Sequence, residues 1–189
     1  MSQLGSNILD KIPPVLAVAN IHPDHLDVCI SNCCTGSRQQ CRLPVGAVTL
    51  VRRTSGGSTK RSYGVVGVWY FTGVNEPVPR REHLWPSRWH NKVIFEPIVQ
   101  RFKAPWCEDF SAPPANNSKR KTSLYVPGLS YTHLQGVILR IKNQDTAHNY
   151  LKALLHYNSQ ELESEVSYLG HECKASDILR HLMEKLKGG

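Results

Sequence analysis

The sequence predicts an α+β protein: a mixed β-sheet or small barrel flanked by helices and followed by a helical C-terminal extension. Short apolar runs bounded by glycine and proline recur between residues 14 and 143, as is typical of β-strands. From Asp145 onwards the apolar residues instead recur at helical spacing. The chain therefore divides into a lead-in at residues 1–13, a domain at 14–143, and an extension at 144–189 that packs on the domain or leads to a further one.

The first part of the domain predicts a strand followed by a short helix. Residues 15–19 form an apolar run that suits a buried strand. Between residues 24 and 32 the apolar side chains recur at the spacing of one helical face, and the Thr-Gly-Ser at 35–37 is expected to end that helix. The face consists of Leu26, Cys29, Ile30 and Cys33.

Three further strands are predicted in the middle of the domain. They lie at residues 45–51, 63–71 and 92–99. The first two flank a Ser-Gly-Gly-Ser tip and therefore form a hairpin. Gly64 and Gly67 within the second strand indicate a bulge, a barrel bend or a close approach of another backbone segment.

The rest of the chain predicts connectors and then amphipathic helices. Residues 75–86 are expected to be a turn-rich connector, 104–122 a long loop, and 137–141 either a closing strand or the end of a helix. Ser176 is expected to cap the last helix. The three apolar stripes of the extension are Ala147, Tyr150, Leu151, Leu154 and Leu155, then Leu162, Val166 and Leu169, then Leu179, Leu182, Met183 and Leu186.

The charge balance favours a polyanion as partner. Lysine and arginine number 23 against 15 aspartates and glutamates, which gives a net charge of +8 and a pI near 9.3. A basic but otherwise ordinary surface is the alternative, since a net charge does not locate a patch. The candidate phosphate contacts are Arg52, Arg53, Lys60, Arg61, Arg80, Arg81, Arg88, Lys92, Lys119, Arg120 and Lys121.

The six cysteines are expected to be buried thiols. They are Cys29, Cys33, Cys34, Cys41, Cys107 and Cys173. His22 and His25 precede four of them, but their spacing is not a familiar zinc-ligand pattern. We therefore expect no metal and no cofactor, although zinc and disulfides stay open as alternatives.

Two tryptophans lie close together in the segment LWPSRW at residues 84–89. Trp85 and Trp89 flank Arg88, and Pro86 argues for a loop or a first helical turn. The two indoles are either packed in the core or form the walls of a slot for a flat ligand. Alternation sends Trp69 and Tyr70 to opposite faces of a strand, so we expect one in the core and the other facing outward.

The order of these segments resembles the EVE and YTH domains, PUA-like modules that bind modified bases in nucleic acid. The resemblance covers roughly residues 14–141 and includes GVVGV at 64–68, LWPSRW at 84–89 and VIFEPI at 93–98, followed by VPGLS at 126–130 and HLQGV at 133–137. It implies binding to DNA with a modified base, N6-methyladenine or methylcytosine, flipped into an aromatic pocket. It also implies a targeting module of a McrBC-type, modification-dependent restriction system, with motor and nuclease located elsewhere.

The resemblance carries roles to particular residues. Trp85 and Trp89 would wall the base pocket, and Trp69, Tyr70 or Trp106 is the candidate for a third side. By position, Cys33 and Cys34 would contact the base through their backbone. Asn20 would read a base edge through its side-chain amide, or would equally serve as a turn residue. This chain departs from the YTH pattern in the four-residue spacing of its tryptophans and in having no tryptophan at residues 32–35.

Three alternatives remain open at the level of sequence: a reader of modified RNA, a Cys/His-dependent enzyme, and a protein-interaction module that uses the C-terminal helices. The chain has no nucleophile elbow, Walker loop or HExxH motif, so we expect a binding module and not an enzyme. The first twenty residues lack a signal-peptide core and no run approaches the roughly 18 apolar residues of a membrane span, which predicts a cytoplasmic protein.

Overall fold

The computed structural model describes residues 8–21, 23–37, 40–53, 64–77, 91–103, 106–107 and 137–188. Its helices and strands, in chain order, are β1 (Leu16–Ile21), α1 (Pro23–Asn32), β2 (Cys34–Ser37), β3 (Val48–Arg53), β4 (Gly64–Pro77), β5 (Asn91–Val99), β6 (Trp106–Cys107), β7 (Val137–Arg140), α2 (Gln144–Tyr157), β8 (Glu165–Tyr168), β9 (His171–Lys174) and α3 (Ala175–Gly188). A 3₁₀ turn at Glu161–Glu163 follows α2. None of these described helices is long and apolar enough to cross a lipid bilayer.

The main sheet is mixed and curled. Its strand order is β2-β5-β4-β3-β1-β7, and β6 pairs with β4. β1 and β3 are parallel, and every other pair in this sheet is antiparallel. The strands β2 and β7, at the two ends of the order, approach each other within 8 Å between Cα atoms. The α+β class and the mixed, barrel-like sheet are thus confirmed.

Both faces of the sheet are covered. On one face, Trp69, Phe71 and Phe95 pack against the apolar side of α1, and the four residues predicted for that side all belong to this cluster. On the other face, Leu16, Leu50 and other strand residues pack against α2 and α3. The expectation that one of Trp69 and Tyr70 faces outward is therefore wrong: the two side chains do point to opposite faces, but each face has its own core.

The strands differ from the prediction in three places. β4 continues to Pro77, through a bulge at which Gly73 adopts a φ of 90°, so the predicted connector begins as strand. Residues 34–37 form the short strand β2 instead of a helix stop, because they pair with β5. β6 lies within the predicted long loop. Residues 137–140 are a strand, which decides between the two alternatives for that segment.

The second apolar stripe of the extension is not a helix. Its first residue lies in the 3₁₀ turn, and its other two belong to the hairpin of β8 and β9. Leu169 and Gly170, at φ of 51° and 85°, form the two-residue connection, as a type I′ turn requires. Ser176 does not precede the last helix, since α3 already begins at Ala175 and buries the serine in its first turn.

The C-terminal hairpin docks on the sheet through two tyrosines. The Tyr168 hydroxyl donates to the backbone oxygen of Gly46 at 2.7 Å, and the Leu169 N–H donates to the Tyr70 hydroxyl at 3.1 Å. That hydroxyl in turn donates to the Glu96 carboxylate at 2.6 Å. The two tyrosine rings meet edge to face with centroids 4.8 Å apart. The extension is thus packed on the domain.

Candidate nucleic-acid interface

The strand directions collect several predicted site residues at one end of the sheet. The registers place the last residues of β1 and β3 at the same end as the first residues of β4 and β7. We call this the Asn20 end. It contains Asn20, Arg52 and Arg53. The Cys33–Cys34 segment does not lie there by register, because Cys34 pairs with Ile94, which pairs with Val74 towards the other end of β4.

A buried pair of polar side chains lies at the Asn20 end. Asn20 is opposite Arg52 in the parallel register of β1 and β3, next to the irregularity between Val51 and Arg52 in the pairing with β4. Asn20 follows Leu16 and Val18 on one face of β1, and Arg52 follows Val48 and Leu50 on the same face of β3. This is the face that α2 and α3 cover. The exposed fraction is 0 % for Asn20 and 5 % for Arg52. The Arg52 guanidinium donates from Nη1 to Asn20 Oδ1 at 2.7 Å.

This hydrogen bond fixes which way the Asn20 amide faces. A guanidinium can only donate, so it must meet the carbonyl oxygen of the amide. The amide nitrogen Nδ2 then points elsewhere, and it finds no acceptor among the described residues. Leaving a buried donor without a partner costs about 1–3 kcal/mol. The pair therefore presents a preoriented donor that an incoming acceptor would satisfy.

Arg52 is not the surface cation that a phosphate contact requires. We expected it to meet the nucleic-acid backbone, but its side chain is buried beside Asn20. The sequence did contain the signal: residues 16, 18 and 20 alternate onto one face of β1, and residues 48, 50 and 52 onto the same face of β3.

The Cys33–Cys34 segment follows the end of α1. Cys33 adopts a left-handed φ of 47°, which is a common way to end a helix. Its N–H donates to the Ile30 oxygen at 3.2 Å and its oxygen accepts from the Phe95 N–H at 2.9 Å. Cys34 then begins the pairing with β5 opposite Ile94. The backbone of Cys33, which was predicted to contact a base, is therefore already engaged within the protein through both its N–H and its oxygen.

The thiols near this segment are protonated at neutral pH. Burial raises the pKa of Cys29 to about 12 and that of Cys33 to about 11, with a smaller contribution from the neighbouring Cys34 in both cases. Burial also raises the pKa of Cys34. A thiolate nucleophile needs the opposite shift. The five cysteines whose side chains the structure describes are free thiols, and the described residues contain no group of three potential metal ligands.

Trp69 is a core residue. It has no exposed surface, and its ring centroid lies 5.5 Å from that of Phe95. Its indole N–H donates to the Gln100 oxygen at 3.2 Å, and the Gln100 amide donates to the Ile30 oxygen at 2.8 Å. This placement differs from the pocket wall that we expected, because an indole that is fully enclosed and hydrogen bonded has no free face for a base.

The predicted tryptophan loop is attached at the other end of the sheet. β4 and β5 pair up to Pro77 opposite Asn91, so residues 78–90 leave and return there. The Asn91 amide donates to Asn75 Oδ1 at 2.9 Å, which also accepts from the Cys41 N–H at 2.8 Å, and these bonds hold the base of the loop. Trp85 and Trp89 themselves lie outside the described residues, so their role as pocket walls stays a prediction.

The predicted phosphate contacts divide between the two ends. Arg53 is half-buried at the Asn20 end, and Lys92 forms an ion pair with Glu76 at 3.7 Å beside the tryptophan loop. The other candidates lie outside the described residues. Lys60 and Arg61 belong to the connection between β3 and β4, and Lys119, Arg120 and Lys121 to the connection between β6 and β7, both of which join strands at the Asn20 end. Arg80, Arg81 and Arg88 belong to the tryptophan loop.

Comparisons with known proteins add no family. No protein-family model matches the chain, and a search of curated proteins finds no match.

Proposed function

We propose that this chain is a PUA-like reader module that binds DNA and recognises a modified base, N6-methyladenine or methylcytosine, flipped out of the helix. In this proposal it is the targeting module of a cytoplasmic, modification-dependent restriction system, and any motor or nuclease belongs to another domain or subunit. The observation that supports it is the buried Asn20 amide, held by Arg52 with its donor nitrogen unsatisfied among the described residues.

A flipped base needs hydrogen bonds on its edge and an apolar surface against its face. Every nucleobase carries ring-nitrogen or carbonyl acceptors, and an amide N–H fixed at the end of a rigid strand suits one of them. Stacking on an aromatic side chain stabilises a bound base by about 1–3 kcal/mol. In the proposal Trp85 and Trp89 provide that surface, and Asn20 provides the edge contact.

The charge of the chain is consistent with a nucleic-acid backbone as the partner. The net charge is +8, and two of the connections at the Asn20 end together carry five of the candidate phosphate contacts. Contacts of this kind release counterions and make affinity fall steeply with salt. They position the nucleic acid but do not select a base.

A binding titration tests the proposal. The probes are matched oligonucleotides with unmodified adenine, N6-methyladenine, unmodified cytosine and 5-methylcytosine at one position, in deoxy and ribo versions. We expect the intact chain to prefer one modified deoxy probe, and Asn20→Ala to bind that probe about tenfold more weakly. The matched control is Asn149→Ala, an exposed asparagine on α2.

Three results would count against the proposal. Equal affinity for modified and unmodified probes would remove base recognition. A preference for the ribo versions would make the chain an RNA reader, since the 2′-hydroxyl distinguishes the two nucleic acids. A loss of affinity in Asn149→Ala as large as that in Asn20→Ala would show that the effect is not specific to the Asn20 end.

A further inference from the structure

We propose that Arg52 is a positioning residue that sets the polarity of the base-reading amide, so that the site presents a hydrogen-bond donor and selects a ligand edge with an acceptor. This inference rests on the proposed function, and it replaces the phosphate contact expected for Arg52 from the sequence. It concerns the Asn20–Arg52 pair alone.

The placement of the pair leaves the amide one orientation. Both side chains come from neighbouring parallel strands in direct register, so their Cα atoms are held side by side. At 5 % exposure and 2.7 Å from Asn20 Oδ1, the guanidinium has only donors to offer to the amide. Turning the amide over would place two donors against each other in the interior. Asn20 Nδ2 is consequently the polar atom that remains for a ligand.

A fixed donor restricts the chemistry of what it recognises. Its partner must be a carbonyl oxygen or an unsubstituted ring nitrogen, and it cannot be an exocyclic amine, which would present a second donor. A methyl group on the recognised ring nitrogen would remove the acceptor as well. The selected ligands are therefore bases whose modification lies away from one ring acceptor or carbonyl, as in N6-methyladenine and 5-methylcytosine.

Deaza analogues test this inference directly, because each replaces one ring nitrogen by C–H and keeps the shape of the base. If N6-methyladenine is the base that binds, its oligonucleotide is compared with the 1-, 3- and 7-deaza forms. If 5-methylcytosine binds, its oligonucleotide is compared with a 3-deaza form and with a form that lacks the 2-oxo oxygen. We expect one of these changes to weaken binding to the intact chain by about fivefold to a hundredfold. The same change should have little effect on Asn20→Ala.

Variants of Arg52 separate positioning from a general structural role. We call the loss of affinity caused by the deaza or deoxo analogue the analogue penalty. Arg52→Lys keeps a donor beside Asn20 and should keep this penalty. Arg52→Met frees the amide to turn its oxygen towards the ligand, so the penalty should shrink whatever happens to overall affinity. Asn20→Asp is isosteric and retains a partner for Arg52, and it should bind the parent base weakly because its carboxylate repels an acceptor. Thermal melting of each variant shows that it is folded.

The outcomes distinguish this inference from the proposed function. If the intact chain prefers a modified base but no analogue weakens binding, or if the penalty persists in Asn20→Ala, the positioning role of Arg52 is wrong and base recognition stands. If Arg52→Met is folded and keeps the full penalty, Arg52 does not set the polarity. If the intact chain prefers no modified base, the proposed function itself fails, and this inference fails with it.

Discussion

Gly67→Ala is the substitution whose cost the structure defines most sharply. A Cβ atom at position 67 would lie 2.7 Å from the Gln100 oxygen and 3.0 Å from the Val99 oxygen, both of them backbone atoms. Ordinary contact begins near 3.4 Å, so the chain after β5 must retreat by about 0.7 Å. This is the close backbone approach that a glycine inside a strand indicates.

The retreat would loosen more than one contact. Gln100 accepts the Trp69 indole N–H and donates to the Ile30 oxygen at the end of α1, so moving its backbone weakens both bonds. Overpacking costs about 1–3 kcal/mol and a lost hydrogen bond about 1 kcal/mol. We expect the free energy of unfolding to fall by about 3 kcal/mol, which for a chain of this length lowers the melting temperature by about 10 °C.

Thermal and urea denaturation measure this change, with Gly170→Ala as the matched control. A Cβ at position 170 meets nothing within 4 Å, so that variant reports only the strain of alanine at a φ of 85°, about 1 kcal/mol. The reasoning is refuted if Gly67→Ala costs no more than Gly170→Ala. Fluorescence in a background that keeps Trp69 as its one tryptophan, without Trp85, Trp89 and Trp106, provides a second reading, because the environment of that indole should change only in Gly67→Ala.

Three other predictions concern the docked hairpin, the thiols and the partner. Tyr168→Phe removes a buried hydroxyl that donates to the Gly46 oxygen, so denaturation should show a loss of about 1–2 kcal/mol, and an unchanged stability would contradict the docking. The folded-state pKa of Cys29, about 12, lies above its unfolded value near 9, so its contribution to stability is complete below pH 9 and is lost as pH rises from 9 towards 12. Urea denaturation under reducing conditions at pH 8 and at about pH 9.3, where a thiol with a pKa near 9 ionises far more than a tyrosine with a pKa near 10, should show this loss, and Cys29→Ala should show a smaller one. Binding to the preferred oligonucleotide should weaken steeply between about 50 and 200 mM salt, and a flat response would exclude phosphate contacts as a main source of affinity.

The sequence predicts elements well where local pattern and final environment agree. The first strand, the helix at Pro23–Asn32 and the strand at Asn91–Val99 were all predicted within a few residues. β2 was missed because four residues with a glycine carry no alternating pattern, and their strand conformation depends on pairing with β5 about sixty residues away. The C-terminal hairpin was read as a helix because its apolar residues happen to recur at intervals of three and four.

The candidate site was less predictable than the fold. Alternation places Asn20 and Arg52 on the same face, but their burial depends on what covers that face, which no local pattern reveals. The burial of Trp69 was misjudged for the same reason. An aromatic residue in a strand is enclosed or available according to whether a helix packs over it, and here α1 covers it.

The remaining question is whether the tryptophan loop and the Asn20 end form one pocket. Along β4 they are separated by about 40 Å of strand between Val65 and Pro77, at the usual rise per residue. The curl of the sheet offers a shorter route. From Asn91 it is about 10 Å along β2 to Cys34, β2 lies within 8 Å of β7, and β7 pairs directly with Asn20.

A double-mutant cycle on Asn20→Ala and Trp85→Ala decides this question. The thirteen residues from 78 to 90 reach at most about 20 Å out and back, about half the length of the long route, so a shared pocket requires the shorter route across the curl of the sheet. If both side chains hold the same base, their effects on affinity should be coupled by more than about 0.5 kcal/mol. Simple additivity, or a Trp85→Ala variant that binds like the intact chain, would mean that the indole is not part of the pocket. In that case the reader would depend on Asn20 and Arg52 without it.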